Sequence, residues 1–228
     1  MAAPIMHVVF ALKIFLLLPP TVDKKEFIVG TSFPDIRYYA NLSRESTHIE
    51  PASWNDIVNE PSSFRAGMLF HNLLDILRME NFEINFFNRY ALSQYTPLYI
   101  RLFPLIMKFA EDVVLYDKIE RWQEIINYFD VIFEEEKKLC NDENIIESWH
   151  KILQNYFKQK PTFTTLTEFL MSQHSTINLW EDPINFNPEQ IFDLLVNKII
   201  FQKKLNDFYD NFENYLSNEP LMTKDVKW

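Results

Sequence analysis

Two glycines, Gly30 and Gly67, are all that this 228-residue chain contains, and no other property narrows its fold as much. Tight β-hairpins and glycine-rich phosphate loops depend on residues that adopt positive φ or let a backbone come close to a ligand. Average usage would supply about 7% glycine. Nucleotide-loop enzymes and turn-rich β-sandwiches are therefore disfavoured, and an all-α chain is expected. With 47% hydrophobic residues, the chain can build a core and is not compositionally disordered. Its length suits one domain, and no internal repeat or low-complexity linker divides it. Residues 1–228 are read as a single multi-helix domain. The one cysteine, Cys140, excludes an intramolecular disulfide and a multi-thiolate zinc site.

The charge balance narrows the partners. Thirty-two acidic residues stand against 22 basic ones, a net charge of −10. Broad nucleic-acid binding, which needs clustered Lys and Arg, is not expected. A small anion held by a metal remains compatible, because a local cation reverses the field around it. The apolar run Val8–Leu18 is broken by Lys13 and stopped by Pro19-Pro20. It falls short of the ~20 residues that cross a bilayer and lacks a basic leader and a small-residue cleavage site. An internal helix entered after Pro4 is expected, with Lys13 on its polar side, no transmembrane segment, and a cytoplasmic location with secretion left open.

Between Thr21 and Pro61, the prolines at 34, 51 and 61, Gly30 and polar stretches predict a long loop region near residues 21–61. Loops of that length in a compact domain usually carry function. Helical periodicity then takes over at Phe64–Leu77. Further helices are predicted at Pro97–Tyr116, kinked or broken at Pro104, and at Ile119–Leu139, Ile145–Phe157, Phe163–Gln173 and Pro188–Leu216. Glu134–Glu136 read as a solvated helix face, and the Phe-rich stripes, including Phe86-Phe87 and Phe201 to Phe212, as core packing.

Five histidines are present: His7, His48, His71, His150 and His174. His71 and Asp75, four apart on a helix, project from one face and can bind one ion from a rigid scaffold. The same spacing also suits a plain helix-surface pair. The surrounding pattern adds weight: Asp35 follows Pro34 in a loop, His48 lies thirteen residues on, and His7 opens the first helix. Together His7, Asp35, His48, His71 and Asp75 offer nitrogen and oxygen donors for a d10 cation such as zinc. Glu111, Asp112 and His150 are further metal or second-site candidates. The plainer reading is that Glu111 and Asp112, with Asp117 nearby, form the wet face of an amphipathic helix, and that His150 is a half-buried neighbour of Trp149. His174, at the end of a predicted helix, suits the negative end of the dipole.

The order His7, Asp35, His48 and His71-x-x-x-Asp75 resembles the zinc-dependent phospholipase C and single-strand nuclease superfamily. The segments Gly30–Tyr38, Arg44-x-x-Thr47-His48 and Ala66–His71 resemble an uncharacterised bacterial branch of it. The resemblance covers the first third of the chain. It implies an all-helical fold around a zinc cluster, with Asp35 in a metal-binding and catalytic role. The sequence also departs from the pattern. No Trp lies near the start to serve as an N-terminal ligand, no His lies between His71 and His150, and Gln154 stands where a carboxylate would follow His150. One zinc ion, or two, is what carries over.

The expected activity is metal-dependent hydrolysis of a phosphoester, phospholipase C-like, with a metal-activated water. Arg37 and Arg44 are the candidates for binding the substrate phosphate, since a guanidinium fork matches that anion. A surface ion pair is the plainer role for each. A phospholipid-type or other small anionic substrate suits this acidic chain better than a polynucleotide. The alternative is a non-catalytic helical protein that keeps a structural metal site or acts as a partner-binding module.

Overall fold

The structure, a computed structural model, describes residues 4–49, 53–83, 97–172 and 188–217. Every regular element among them is helical, as the glycine count predicts. The chain opens with α1 (Pro4–Ile14), buried along most of its length. Then come α2 (Lys24–Ser32), a 3-10 turn (Pro34–Ile36), α3 (Arg37–Ala40), α4 (Arg44–Thr47), α5 (Trp54–Asn59) and α6 (Ser63–Arg78), which ends in a π-helical turn (Met79–Glu83). Beyond it lie α7 (Pro97–Leu115), α8 (Trp122–Tyr128), α9 (Glu134–Leu139), α10 (Glu143–Phe157), α11 (Phe163–Ser172), α12 (Pro188–Asn197), α13 (Ile199–Asp210) and α14 (Phe212–Ser217). A hydrophobic cluster runs from Ile5 on α1 to Leu216 on α14, with Phe10 edge-on to Phe212 at 4.7 Å between ring centroids.

The most extensive helix pairing is α2 on α6, and both glycines sit in it. A Cβ on Gly30 would lie 2.1 Å from the Phe64 carbonyl oxygen, and one on Gly67 would lie 2.2 Å from that of Phe27. Any side chain would force the helices apart. The crossing is fixed at its start as well. Asp23 caps α2 by accepting from Glu26 N at 2.9 Å, and its own N–H donates to Ser63 Oγ at 2.8 Å.

Four expectations are corrected. The long loop near residues 21–61 contains α2, which buries Phe27 through Ser32. Gly30 signals a close helix crossing rather than a loop. Ile119–Leu139 is not one helix: it opens after the 3-10 turn Tyr116–Lys118 and breaks again between α8 and α9, where Phe133 N–H donates to Glu136 Oε2 at 2.8 Å and starts a new helix. Pro188–Leu216 divides into α12, α13 and α14, with breaks at Lys198 and Asn211. Within the supposed solvated run, Glu136 is fully buried, because it is the partner of His150. The helix over Pro97–Leu115, by contrast, runs through Pro104. Lys13 is half-buried, 3.5 Å from Glu213 and 4.6 Å from the centroid of the Tyr209 ring. Phe86-Phe87, Gln173 and His174 lie outside the described residues.

Candidate metal centre

His71 is fully buried on the face of α6 that meets α2. The last carbonyls of a helix have no intrahelical N–H partner. One of them, Thr31 O near the end of α2, lies 2.9 Å from His71 Nδ1. A carbonyl can only accept, so Nδ1 carries the proton and Nε2 keeps its lone pair. That Nε2 is buried and has no hydrogen-bond partner among the described residues.

Four other side chains converge on it. Asp75, one turn along α6, places Oδ2 3.7 Å from His71 Nε2. Its Oδ1 lies 3.7 Å from Nε2 of His7 on α1. The His7 and His71 rings stack with centroids 3.9 Å apart and planes within 6°. Asp35 enters from the 3-10 turn after α2, where Pro34 presets φ; it is 4% exposed and its Oδ1 is buried without a hydrogen-bond partner among the described residues. His48, at the end of α4, meets the His71 ring edge-on at 5.2 Å, and its Nδ1 lies 3.0 Å from Thr47 Oγ1.

These side chains form two overlapping groups, His7–His71–Asp75 and Asp35–His48–His71, in which the candidate ligand atoms lie within 4.8 Å of one another. Donors ~2.0–2.1 Å from a tetrahedral zinc ion stand roughly 3.4 Å apart, so the 3.7 Å spacings about Asp75 need little adjustment. With Nδ1 committed to Thr31, His71 can serve one ion only.

The electrostatics suit a cation. Burial holds His48 down at about 2, with His71 and Arg44 adding to the effect. Burial likewise lowers His71 to about 4, against the pull of Asp75 and the Thr31 carbonyl. Both imidazoles are therefore neutral near pH 7, the form that binds metals. Burial raises Asp35, opposed by His7 and Lys108. It pushes Asp75 up too, but His71, His7 and Lys108 outweigh it and hold that carboxyl below the usual range. Two orphaned buried acceptors, neutral imidazoles and two carboxylates fit a borderline divalent cation.

Arg37 and Arg44 open α3 and α4, the two short helices that follow the Asp35 turn. Arg37 stacks on Tyr38, its guanidinium carbon 4.0 Å from the ring centroid, and an Nη2–H donates to the Tyr38 hydroxyl. Its Nε is buried without a hydrogen-bond partner among the described residues. The Arg44 carbonyl accepts from His48 N at 2.8 Å.

The remaining candidates stand outside both groups. Glu111 and Asp112 do not form the expected wet helix face but are both fully buried, because each has a buried partner. Glu111 receives Arg78 through two bonds of 2.6 Å. Asp112 accepts from the N–H groups of Ile5 and Met6 and from the Tyr156 hydroxyl. His150 engages Phe129 O through Nδ1 at 3.0 Å and Glu136 Oε1 through Nε2 at 2.7 Å, so neither ring nitrogen is open to a metal. Gln154 binds Ile126 O and Asp130 instead. Exposed Asp117 pairs with Lys160.

Sequence reasoning missed three neighbours of the centre. Thr31 acts through its backbone and leaves no side-chain signal. Tyr38 titrates above its ordinary range because of burial and the charge of Asp35; its spacing of three residues from Asp35 was the available signal. Lys108, on α7, bears on both Asp35 and Asp75 and is distant from them in sequence. No helix among the described residues is long and apolar enough to cross a membrane. Comparison with known proteins assigns the chain to no family: no family model matches it, and neither a curated protein nor a solved structure is similar to it.

Proposed function

We propose that the protein is a metal-dependent hydrolase of phosphoester bonds, resembling the zinc-dependent phospholipases C. The observation that carries this reading is the convergence of His7, Asp35, His48, His71 and Asp75 into two overlapping ligand groups that share the buried His71. In particular, His71 Nε2 and Asp35 Oδ1 have no hydrogen-bond partners among the described residues. Orphaned acceptors cost stability unless something offsets them, and a divalent cation, zinc by its donor chemistry, does so here.

When bound, such an ion supplies Lewis acidity and lowers the pKa of a coordinated water towards neutrality. The chain's own residues do the rest. Thr31 fixes the tautomer of His71, and burial keeps His48 uncharged. Asp35 and Asp75 bring negative charge that favours cation over proton. Arg37, two residues after Asp35, keeps a buried Nε without a hydrogen-bond partner among the described residues and can pair with a phosphoryl oxygen, and Arg44 adds positive charge. A small anionic or phospholipid-type substrate follows from this arrangement.

A second reading, a non-catalytic protein with a structural metal clip, is favoured by burial. His7, Asp35, His48 and His71 are each 6% exposed or less, and a closed, saturated site holds no reactive water. Asp75, with its side chain 20% exposed, is the open edge. The test is hydrolysis of bis-p-nitrophenyl phosphate and of a short-chain phosphatidylcholine by zinc-loaded protein, beside Arg37→Ala. Turnover that falls in R37A with zinc retained supports the hydrolase. Full zinc occupancy with no turnover of either substrate supports the clip.

A further inference from the structure

The adjacent carboxylates Glu111 and Asp112 on α7 are both fully buried, and neither belongs to the ligand groups. Each reaches a different ligand-bearing helix. Asp112 Oδ2 accepts from Ile5 N at 3.0 Å and Oδ1 from Met6 N at 2.7 Å, while the Tyr156 hydroxyl on α10 donates to Oδ2 at 3.1 Å. Glu111 holds Arg78 at the far end of α6, the helix of His71 and Asp75.

The first N–H groups of a helix lack intrahelical partners and carry its positive dipole end. Asp112 therefore fixes α1 both along and around its axis. The next residue after Met6 is His7. Its ring lies 3.9 Å from that of His71, and its Nε2 lies 3.7 Å from Asp75. A small rotation of α1 would carry that nitrogen away from Asp75, and metal sites tolerate little misplacement. Burial pushes Asp112 well above the ordinary carboxylate range, against the pull of its backbone donors.

We infer that Asp112 is a positioning residue for the metal centre, acting through the first turn of α1 to set His7 against His71 and Asp75. The inference rests on the metal site proposed above. It differs from a general packing role because it requires coupling to one ligand.

The experiment measures zinc affinity by chelator competition, and the visible spectrum of the cobalt-substituted protein, for wild type, Asp112→Asn, His7→Ala and the double variant. Leu153→Ala serves as a destabilised control, since Leu153 is a buried α10 core residue outside the ligand groups. Asp112→Asn keeps the side chain's size but replaces one acceptor with an amide that opposes an N–H. Its zinc affinity should fall about tenfold or more, the usual effect of losing a ligand's support, with a changed cobalt spectrum. In the His7→Ala background the same substitution should cost little further. L153A should lose thermal stability with both metal readouts unchanged. Wild-type affinity in D112N, or losses in D112N and H7A that simply add, overturns the inference while the metal site stands. Wild-type protein that takes up no zinc overturns both. If D112N does not fold, Tyr156→Phe decides: its affinity should fall less but by the same coupling to His7, and unchanged affinity overturns the inference.

Discussion

His71 donates through Nδ1 to the carbonyl of Thr31 at 2.9 Å, and that bond decides which of its nitrogens can meet a cation. It exists because α2 and α6 approach so closely that neither Gly30 nor Gly67 can carry a side chain. The residues that define the fold and those that define the site thus meet at one helix crossing.

Gly67→Ala places a methyl 2.2 Å from the Phe27 carbonyl oxygen and 2.7 Å from Thr31 N. Backbone cannot give way as a flexible side chain would. Overpacking costs 1–3 kcal/mol in ordinary cores, so a loss of about 3 kcal/mol or more is expected, read as a fall in the urea midpoint. Zinc affinity should fall with it, because α2 carries Thr31 away from His71.

Removing metal should lower the thermal midpoint, and adding zinc should restore it in proportion to the logarithm of its free concentration. A thousandfold excess over Kd stabilises by about 4 kcal/mol. Differential scanning calorimetry with and without a chelator measures the effect. His71→Ala should abolish the zinc dependence.

Acid should unfold the metal-free protein early. The unfolded chain takes up protons on His48 and His71 near pH 6.5, whereas the folded chain holds them at about 2 and about 4. Between those values the unfolded state binds more protons, so stability falls as pH drops. For His71 alone the loss is on the order of 3 kcal/mol. Asp35 and Asp112, both held above the ordinary carboxylate range, work against this trend, and Asp75, held below its own, adds to it only at lower pH. Urea denaturation of chelated protein between about pH 8 and pH 5 follows the decline; a midpoint that rises on acidification contradicts it.

His150→Ala breaks a fully buried contact with Glu136 and leaves Oε1 of that carboxylate without its partner, while Oε2 keeps the Phe133 N–H, at a cost of about 2 kcal/mol. Zinc content should not change, since α9 and α10 carry none of the five candidate ligands. Elemental analysis beside a urea melt separates the two effects.

How much of this was legible in the sequence depended on what each residue does. His71 and Asp75 were readable because helical periodicity is regular and their spacing puts them on one face. His7, Asp35 and His48 were readable through their order relative to that pair, although no local pattern shows that they meet. The helix α2 was hidden because Gly30, Thr31 and Ser32 are weak helix formers; close packing against α6, not propensity, holds them. Glu136 was hidden because burial of one glutamate within a charged run depends on a partner, His150, that lies on the next helix. Asp112 and Lys108 act across long sequence separations, which a single chain's periodicity does not encode.

The most direct test is a metal count on purified, zinc-replete protein, with anomalous scattering locating the ion, repeated for Asp35→Ala and His71→Ala. About one equivalent of zinc, bound at His71 by ligands drawn from the five side chains His7, Asp35, His48, His71 and Asp75 and lost in both variants with far-UV helicity unchanged, is the expected result. Protein that holds no zinc and is indifferent to chelator, or variants that keep their metal, would contradict it.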